Sequence, residues 1–485
     1  MSEFFYQSAW RQMDALDTGR ISSVELLDLH VRRFKSVNRQ LNAVIKTDIE
    51  RAREWANALD KKRADGAILG PLHGLPMTVK DTLDVDNMPA TAGAPQCAKR
   101  KRPVHDAEVV ARLKAAGAVI WGKTNVPYLA SDWQSDNKVF GATNNPHDLS
   151  RTCGGSSGGA AAALAAGVTP LEVGSDIGGS LRIPAHFNGV CSLKPTYGVI
   201  SQAGHVPPAP DYRGQVDLNV VGPMARSVRD LKLLRSVIQQ GVTQGPAPPL
   251  HLHGTRLALW PIEEDWPLSS ESAELIRDAA QEFEGLGAEL ATAKPDIDPD
   301  ELLDVYLSLL IPIVAMDMPA GQLALAQVLR PLAKLMNRFA SSPFTLRNWE
   351  IKATQSHIEW MRADGRRAAF KSMVREFFSH YDALIMPVSP TPAFPHQPKG
   401  GVLTRKLVVD EARVPYASHL TWISLATTCH LPVVTLPIGR TAEGLPVGIQ
   451  IIGPQGEDAK ILNIAEACES VLGGFRKPAT DLGVF

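Results

Sequence analysis

Two glycine-rich stretches that carry serines stand close together in this chain. The first, residues 153–159, reads CGGSSGG, and both Ser156 and Ser157 satisfy the pattern G-x-S-x-G. Glycine adds no side chain to a core, so a cluster of glycines indicates backbone that approaches another group closely or adopts a positive φ. The stretch runs into an alanine-rich segment, which predicts a helix whose first N–H groups face the loop. We interpret 153–159 as a functional loop rather than a flexible linker.

The second stretch, residues 174–184, reads GSDIGGSLRIP and follows an apolar run. Gly178 and Gly179 allow consecutive backbone N–H groups to converge on one point, as an oxyanion hole requires. Ser180 would lie at that point. The alternative is an ordinary tight turn that ends at the charged Arg182, but two Gly-Gly-Ser clusters on either side of one predicted helix favour a functional site.

A third pattern, residues 117–124 (GAVIWGKT), matches the phosphate-binding loop G-x-x-x-x-G-K-[ST] of nucleotide hydrolases. That loop has a strand before its first glycine, a flexible turn between its glycines and a helix after its lysine. Here a helix is predicted before Gly117, a strand is predicted between the glycines, and Asn125-Val126-Pro127 follows. We therefore predict no nucleotide site at this position.

The elements around these stretches alternate between helices and short apolar strands, which is typical of α/β proteins. Strands are predicted at 77–79, directly before Lys80, and at 118–121, 169–173, 383–387, 433–437 and 447–452. Helices are predicted at 49–62, 106–115, 159–166, 272–286, 366–378 and 458–472. A further helix is expected after the capping box formed by Ser22 and Glu25.

Two segments between these elements have a different character. Residues 240–253 are rich in glycine and proline, which predicts a linker. Residues 302–339 are apolar but contain Pro312, Pro319 and Pro331, so we predict broken helices over a pocket. The most apolar part, 305–316, is too short to span a bilayer, so no membrane span is expected.

Composition excludes several classes of protein. The 485 residues include 50 Lys and Arg against 51 Asp and Glu, a formal net charge of −1, so a generally basic nucleic-acid binder is excluded. Five cysteines without a C-x-x-C pair indicate neither a disulfide framework nor a zinc ribbon. The start MSEFFYQSAW shows no signal peptide, so we expect a cytoplasmic protein with reduced thiols.

The second glycine cluster belongs to a longer pattern. The run GGSSGGAAAALAAGVTPLEVGSDIGGSLRIPAHFNGVCSLKPTYG closely resembles the signature of the amidase-signature hydrolases. GPLHGLPMTVKD resembles the lysine segment of that family, GKTNVP and FGATNNPHD resemble the stretch before the signature, and GLPVGIQIIGP resembles its closing strand pair. The matches span roughly 65–225 and 380–470. Length alone, at about 150 residues per domain, would suggest roughly three domains.

The resemblance implies one α/β domain over 1–485 instead, with a central twisted mixed β-sheet covered by helices on both faces. The core would be 65–225 and 380–470, with a variable, substrate-shaping insertion at about 240–350.

The resemblance also assigns roles to individual residues. Ser180 matches the nucleophile, Ser156 the bridging serine on an unusual cis peptide, and Lys80 the base. The family's oxyanion hole maps to the backbone N–H groups of Ile177, Gly178, Gly179 and Ser180. Asp176 and Arg182 match positions that support the loop, and Asn125 and Asn145 match positions of loop architecture.

A physical reason supports the lysine. A serine hydroxyl is a weak nucleophile until a neighbour takes its proton, and Ser–Lys arrangements are a known alternative to Ser–His–Asp. A lysine acts as a base only when neutral, and burial among apolar residues lowers its pKa. Met77, Val79 and Leu83 would provide such surroundings. Without the resemblance, Lys80 would read as an exposed surface lysine.

The expected function is hydrolysis of an amide through an acyl-enzyme, without a metal or organic cofactor. The substrate would be a small, apolar amide or carbamate, with esters as a side activity, and the protein a monomer or homodimer. We expect Leu309 and Ile313 to contribute to the pocket. Cys153 is expected to be a small lining residue, because no cysteine–histidine arrangement supports a thiol nucleophile.

Two rivals remain open. The same family includes the glutamine amidotransferase subunit of a tRNA-charging complex, in which a glutamine commonly occupies the place that Ile183 holds here. The apolar residue favours a stand-alone enzyme with a hydrophobic acyl or aryl substrate. The other rival is an α/β-hydrolase esterase that uses Ser156 or Ser157 with one of nine downstream histidines.

Overall fold

A mixed β-sheet of eight strands organises the fold of this protein. We describe the fold from a computed structural model, in which residues 3–99, 105–207, 214–241, 252–262, 266–340, 342–479 and 482 are described. The strands in this part of the chain are β1 (Val44–Thr47), β2 (Pro76–Lys80), β3 (Val119–Thr124), β4 (Asn144–Asn145), β5 (Asp148–Thr152), β6 (Leu171–Asp176), β7 (Cys191–Lys194), β8 (Val220–Ala225), β9 (Arg256–Leu259), β10 (Glu289–Thr292), β11 (Ala383–Pro387), β12 (Lys406–Val409), β13 (Ala412–Pro415), β14 (Val433–Arg440) and β15 (Pro446–Ile452).

Helices connect these strands in chain order. They are α1 (Ala9–Asp17), α2 (Ser23–Leu41), α3 (Ile49–Ala64), α4 (Pro95–Ala98), α5 (Glu108–Ala115), α6 (Gly158–Ala165), α7 (Arg182–Asn188), α8 (Val228–Ile238), α9 (Ser270–Gly285), α10 (Pro299–Val314), α11 (Ala320–Asn337), α12 (Leu346–Ala353), α13 (His357–His380), α14 (Ser424–Thr428) and α15 (Asp458–Leu472). The predicted capping box opens α2, because the Ser22 hydroxyl accepts from the N–H of Glu25 and the Glu25 carboxylate accepts from that of Ser22.

The large sheet has the strand order β10-β9-β11-β15-β14-β7-β8-β6. Its β10, β9 and β11 pair in parallel, and the other neighbours pair antiparallel. Every residue of β6, β7, β8, β11 and β15 is buried, which requires cover on both faces of the sheet. Helices supply that cover, so the predicted α/β architecture with a mixed central sheet is confirmed.

A smaller sheet of order β1-β3-β2 places Lys80 at the end of β2. The supposed phosphate loop is β3 in this sheet, as predicted from its position after a helix. Lys123 in β3 is fully buried, donates to the carbonyl of Leu83 at 2.6 Å and forms an ion pair with Asp81 at 3.1 Å. The lysine of the false motif therefore has a structural role.

The middle of the chain also contributes to the large sheet. Strands β9 and β10 lie within the proposed insertion at 240–350, yet they form one end of the eight-stranded sheet. Beyond Thr292, the described residues of that stretch up to 350 form helices and loops outside the sheet. Of the predicted linker 240–253, residues 242–251 lie outside the described residues.

Residues 302–339 form two helices separated by a break, and of the three prolines Pro319 lies at that break, directly before α11. Pro312 lies inside α10, and Pro331 lies inside α11. A proline at 312 leaves the carbonyl of Ser308 without its helical donor. The side chain of Gln355 donates to that carbonyl at 2.5 Å, which satisfies it. The interruption falls instead at 315–319, where a 3-10 turn ends before α11.

Candidate active site

The side-chain amino group of Lys80 lies at the centre of a buried polar cluster. Lys80 is the last residue of β2 and is fully buried. Its Nζ is 2.7 Å from Ser156 Oγ, 2.9 Å from Ser175 Oγ and 3.3 Å from the carbonyl oxygen of Ser175. These partners are hydroxyl and carbonyl oxygens, none of which carries a charge.

Burial lowers the pKa of Lys80 from 10.5 to about 7, although the negative charge of Asp176, and that of Glu172 to the extent that it is ionised, act in the opposite direction. Burial also raises the pKa of Glu172 to about 8, so that carboxyl group is largely neutral at pH 7 and offers Lys80 little charge compensation. A large fraction of Lys80 is therefore neutral near pH 7 and has a lone pair available.

Ser156 is held in the loop between β5 and α6. The peptide bond between Gly155 and Ser156 is cis. A Cβ on Gly155 would lie 2.4 Å from the carbonyl oxygen of Asp132, so only glycine fits this close approach. The next residue, Ser157, donates its N–H to the carbonyl oxygen of Ser180 at 3.1 Å, which ties this loop to the second glycine cluster.

The turn that carries Ser180 connects β6 to α7, and a buried ion pair braces it. The Asp176 carboxylate accepts from the N–H of Gly179 at 2.9 Å, from the N–H of Leu181 at 3.0 Å, and twice from Arg182, at 2.9 and 3.0 Å. Burial alone would raise the pKa of Asp176, but the charge and hydrogen bonds of Arg182 hold it at about 2.

Arg182 links this turn to the closing strands. Besides Asp176, its guanidinium donates to the carbonyl of Ile423 at 3.1 Å, to Gln450 Oε1 at 2.8 Å and to Thr427 Oγ1 at 2.7 Å. Arg182 is fully buried, so each of these bonds compensates for lost hydration. The turn with Ser180 is therefore anchored to β15 and α14, which come from the other half of the chain.

Two aromatic side chains orient the peptide units before Ser180. Trp133 Nε1 donates to the carbonyl of Gly178 at 2.8 Å, and the Tyr306 hydroxyl donates to that of Ile177 at 2.8 Å. In a trans peptide the N–H points opposite to the carbonyl, so Tyr306 fixes the direction of the Gly178 N–H. The N–H of Gly179 differs from the other predicted oxyanion donors, because it already donates to Asp176.

Two adjoining cavities of about 200 Å³ and about 120 Å³ open at Ser180. Ser156 and Ser180 both line the smaller cavity, together with Ser175, His205 and Ile313. Leucine, isoleucine, valine and aromatic side chains predominate in the larger one: Trp133, Ile177, Leu307, Leu310, Ile311, Val314, Phe344, Trp349, Val402, Leu403 and Leu420. Ser180 therefore lines both cavities, and Ser156 lines the smaller one.

Two of the predicted pocket residues lie elsewhere. Leu309 is fully buried in the core, whereas Leu307, Leu310, Ile311 and Val314 line the larger cavity. Their spacing marks one face of α10, and Leu309 lies on another face. Cys153 is absent from the described lining of both cavities and packs beneath Gly158, whose added Cβ would lie 2.7 Å from its Sγ. Burial raises the pKa of Cys153 to about 12, so a thiolate is not available there.

Comparison with known proteins identifies the family. The chain matches the Amidase family over residues 25–462. The protein belongs to the amidase family. As an amidase, it is a hydrolase that acts on carbon–nitrogen bonds. It is 32% identical to the A subunit of glutamyl-tRNA(Gln) amidotransferase from Synechococcus sp. (strain CC9605), over 95% of each chain.

Two other proteins similar to the amidase are hydrolases. It is 32% identical to the indoleacetamide hydrolase of Bradyrhizobium diazoefficiens, over 96% of this chain and 87% of that one. The structure of 6-aminohexanoate cyclic dimer hydrolase in complex with its substrate aligns with a TM-score of 0.79 at 26% identity, over 98% and 99% of the two chains. In the described part of the amidase, no helix has both the length and the apolarity needed to cross a membrane.

Four residues around the site were not singled out from the sequence. Ser175 lies inside the second glycine cluster, next to Asp176, and this position was the available signal. Trp133, His205 and Tyr306 come from separate segments and contact the cluster only in the folded amidase. No spacing in the sequence indicates these contacts.

The buried state of Lys80 predicts a pH-dependent effect on stability. Between pH 7 and 10.5 the unfolded chain binds a proton at Lys80 that the folded amidase has released, so folding becomes more favourable as pH rises, by about 1.4 kcal/mol per pH unit. Lys80→Met removes this dependence. The free energy of unfolding, measured by urea titration, should therefore rise more steeply with pH in the wild type than in Lys80→Met.

Measuring the difference between the two proteins removes the contribution of Lys194, which is also buried and has its pKa lowered to about 7. A difference that stays constant between pH 7.5 and 9.5 would show that Lys80 is protonated in the folded amidase throughout that range.

Proposed function

We propose that this amidase cleaves the C–N bond of a small, largely apolar amide or carbamate through an acyl-enzyme on Ser180. In this proposal Lys80 is the general base and Ser156 transfers the proton between them. The observation that carries the proposal is the 2.7 Å contact of the buried Lys80 Nζ with Ser156 Oγ, beside a cavity that both serines line. A lysine with a pKa near 7 suits general-base chemistry at neutral pH.

The first half of the reaction forms the acyl-enzyme. Ser180 Oγ attacks the carbonyl carbon as its proton passes to Ser156 Oγ, and the Ser156 proton passes to the lone pair of Lys80. The carbonyl π electrons move to oxygen and give a tetrahedral oxyanion. When this intermediate collapses, the C–N bond breaks and the proton on Lys80 returns through Ser156 to the leaving amine.

The second half releases the acid. A water molecule takes the place of the amine, gives a proton through Ser156 to Lys80, and attacks the acyl carbon. Collapse of the second intermediate breaks the bond to Ser180 Oγ, which recovers the proton from Lys80 through Ser156. The products are an amine and a carboxylic acid, or an amine and a carbonic acid monoester in the case of a carbamate, and the enzyme returns to its starting protonation.

We assign oxyanion stabilisation to the N–H groups of Ile177, Gly178 and Ser180. The fourth expected donor, Gly179, has a different role in this proposal, because its N–H is engaged by the Asp176 carboxylate. That bond fixes the turn, and the bond from Tyr306 to the Ile177 carbonyl aims the N–H of Gly178. Donors held in place before the reaction are more effective than donors that must reorient.

The substrate class follows from the pocket. The lining of the larger cavity is dominated by aliphatic and aromatic side chains, which favours an apolar acyl or aryl group. The relatives named for hydrolysis of indoleacetamide and of a cyclic dimer of 6-aminohexanoate support an uncharged amide. We further propose that the core at 65–225 and 380–470 carries the chemistry, and that α10 and α12 shape the pocket.

Labelling identifies the nucleophile. A serine-reactive phosphonate should label the wild-type enzyme at Ser180, and Ser180→Ala should lose both labelling and detectable amide hydrolysis, because the proposed acyl-enzyme forms on the Ser180 hydroxyl. Peptide mapping by mass spectrometry reads the site. Ser157→Ala is the matched control, since this serine lies in the same loop next to Ser156 and should leave the label on Ser180.

Label on Ser156 or Ser157 would instead support an α/β-hydrolase-type elbow. The contact of Ser156 Oγ with a lysine rather than a histidine argues against that rival. Full hydrolysis by Ser180→Ala would overturn the proposed mechanism.

A second candidate is glutamine hydrolysis within an amidotransferase, favoured by the 32% identity to a subunit of that kind. Those subunits commonly have glutamine at the position of Ile183. Ile183 is fully buried and has no polar group to offer a substrate, and its side chain leaves no room for a Cβ on Gly179. The apolar pocket also suits glutamine poorly. The hydrolase without a partner subunit is therefore our first choice.

A substrate panel separates the two candidates and tests the pocket. We expect hydrolysis of the apolar substrates and little hydrolysis of glutamine when an anilide, a carbamate, a fatty amide and glutamine are assayed at equal concentration.

Leu310→Ala and Ile313→Ala enlarge the cavities and should change KM or chain-length preference several-fold, whereas Leu309→Ala on the same helix lowers stability only.

Rapid hydrolysis of glutamine by the isolated protein would favour the amidotransferase. Unchanged preference in both pocket variants would remove α10 from the substrate site.

A further inference from the structure

His205 makes two hydrogen bonds that connect it to the lysine through one serine. Its Nε2 is 2.8 Å from Ser175 Oγ, and its Nδ1 is 2.9 Å from the carbonyl oxygen of Pro207. Ser175 Oγ is in turn 2.9 Å from Lys80 Nζ. The backbone on both sides of His205 is fixed, because the Gly204 carbonyl accepts from the N–H of Asp84 at 2.9 Å and the Val206 N–H donates to the Thr82 carbonyl at 2.7 Å.

The tautomer of His205 follows from these partners. A carbonyl oxygen only accepts hydrogen bonds, so Nδ1 carries the hydrogen and donates to Pro207. Burial, and then the charge of Lys80, lower the pKa of His205 to about 4, so the ring is neutral at pH 7. Nε2 therefore carries no hydrogen and accepts the hydrogen of the Ser175 hydroxyl.

This fixes how Ser175 meets Lys80. The Ser175 hydroxyl has one hydrogen, which it donates to His205, so its oxygen faces Lys80 as an acceptor. A neutral lysine amine has two hydrogens and one lone pair. Its two hydrogens are taken by Ser175 Oγ at 2.9 Å and the Ser175 carbonyl at 3.3 Å, and the lone pair remains for Ser156 Oγ at 2.7 Å.

We propose that His205 is a positioning residue that sets the direction of proton transfer: it holds the Ser175 hydroxyl as an acceptor and thereby aims the Lys80 lone pair at Ser156. The inference rests on the proposed roles of Lys80, Ser156 and Ser180. The same arrangement serves the protonated state, because an ammonium group has three hydrogens and finds three acceptors in Ser156 Oγ, Ser175 Oγ and the Ser175 carbonyl. The proton can move from Ser156 to Lys80 without reorientation of the cluster.

Loss of His205 should misdirect the base. In His205→Leu the Ser175 hydroxyl loses its acceptor and can donate to the Lys80 lone pair, in competition with Ser156. We expect kcat to fall roughly 10- to 100-fold, with KM changed less than about two-fold, because the loss falls on the proton-transfer step rather than on binding. In His205→Gln, the amide oxygen can accept from Ser175, so kcat should recover most of the loss.

A double-mutant cycle shows whether the effect passes through Ser175. Ser175→Ala removes the hydroxyl that connects His205 to Lys80, so adding His205→Leu to Ser175→Ala should cause little further loss of kcat. The pH profile of kcat should also differ between His205→Leu and the wild type. The titratable groups that act on the pKa of Lys80 are Asp176 and Glu172, and neither is altered in these variants.

His30→Leu is the matched control. Like the half-buried His205, the fully buried His30 has both nitrogens bonded, at 3.1 Å to the Val168 carbonyl and at 2.9 Å to Gln12 Oε1, and burial lowers its pKa to about 3. It does not line the described part of either cavity. This control loses a similar pair of bonds and some stability, and its kcat per folded molecule should stay within about two-fold of the wild type.

The amount of folded enzyme in each variant is counted by phosphonate labelling of Ser180. A kcat within two-fold of the wild type in His205→Leu would overturn the inference, as would a full additive loss in the Ser175→Ala background. Failure of His205→Gln to recover activity in a folded, labelled enzyme would also contradict it. Each of these results leaves Ser180 labelled, whereas failure of the proposed function would move the label to another residue.

Discussion

A lysine buried without a paired carboxylate is the constraint on which the rest of this site depends. Burial of an ammonium group costs free energy unless an anion compensates, and here the partners of Lys80 are serine hydroxyls and a carbonyl. The neighbouring strand shows the contrast. Lys123, equally buried, faces the Asp81 carboxylate at 3.1 Å and serves structure. The two lysines differ in the partners that the fold gives them, and this difference separates a candidate base from a structural cation.

Keeping a neutral base requires that the nearest strong anion be occupied elsewhere. Asp176 lies close enough to Lys80 to act on its pKa, yet its carboxylate accepts two bonds from Arg182 and two from the backbone. The ion pair therefore has two effects. It shapes the turn that carries Ser180, and the positive charge of Arg182 offsets the negative charge of Asp176. Arg182 then transmits this constraint to β15 and α14 in the other half of the chain.

Much of this arrangement is predictable from the sequence, and the rest depends on tertiary contacts. The glycine clusters indicated the two loops, because glycine at such density has no packing purpose, and the apolar run before Lys80 indicated its strand. The orientation of α10 was not predictable to one residue, so Leu309 was expected in the pocket where Leu310 lies. Pro312 was read as a helix breaker, because its compensation by Gln355 comes from a distant part of the chain.

The most direct test of whether Lys80 is a neutral base at pH 7 is a measurement of its pKa in the folded enzyme. NMR of protein labelled at lysine Cε and Nζ, with the Lys80 signal assigned by its absence in Lys80→Met, follows that single titration. A midpoint near pH 7 is the predicted result, because burial without a paired carboxylate favours the neutral amine. A Lys80 that stays protonated above pH 9 would contradict its role as the base.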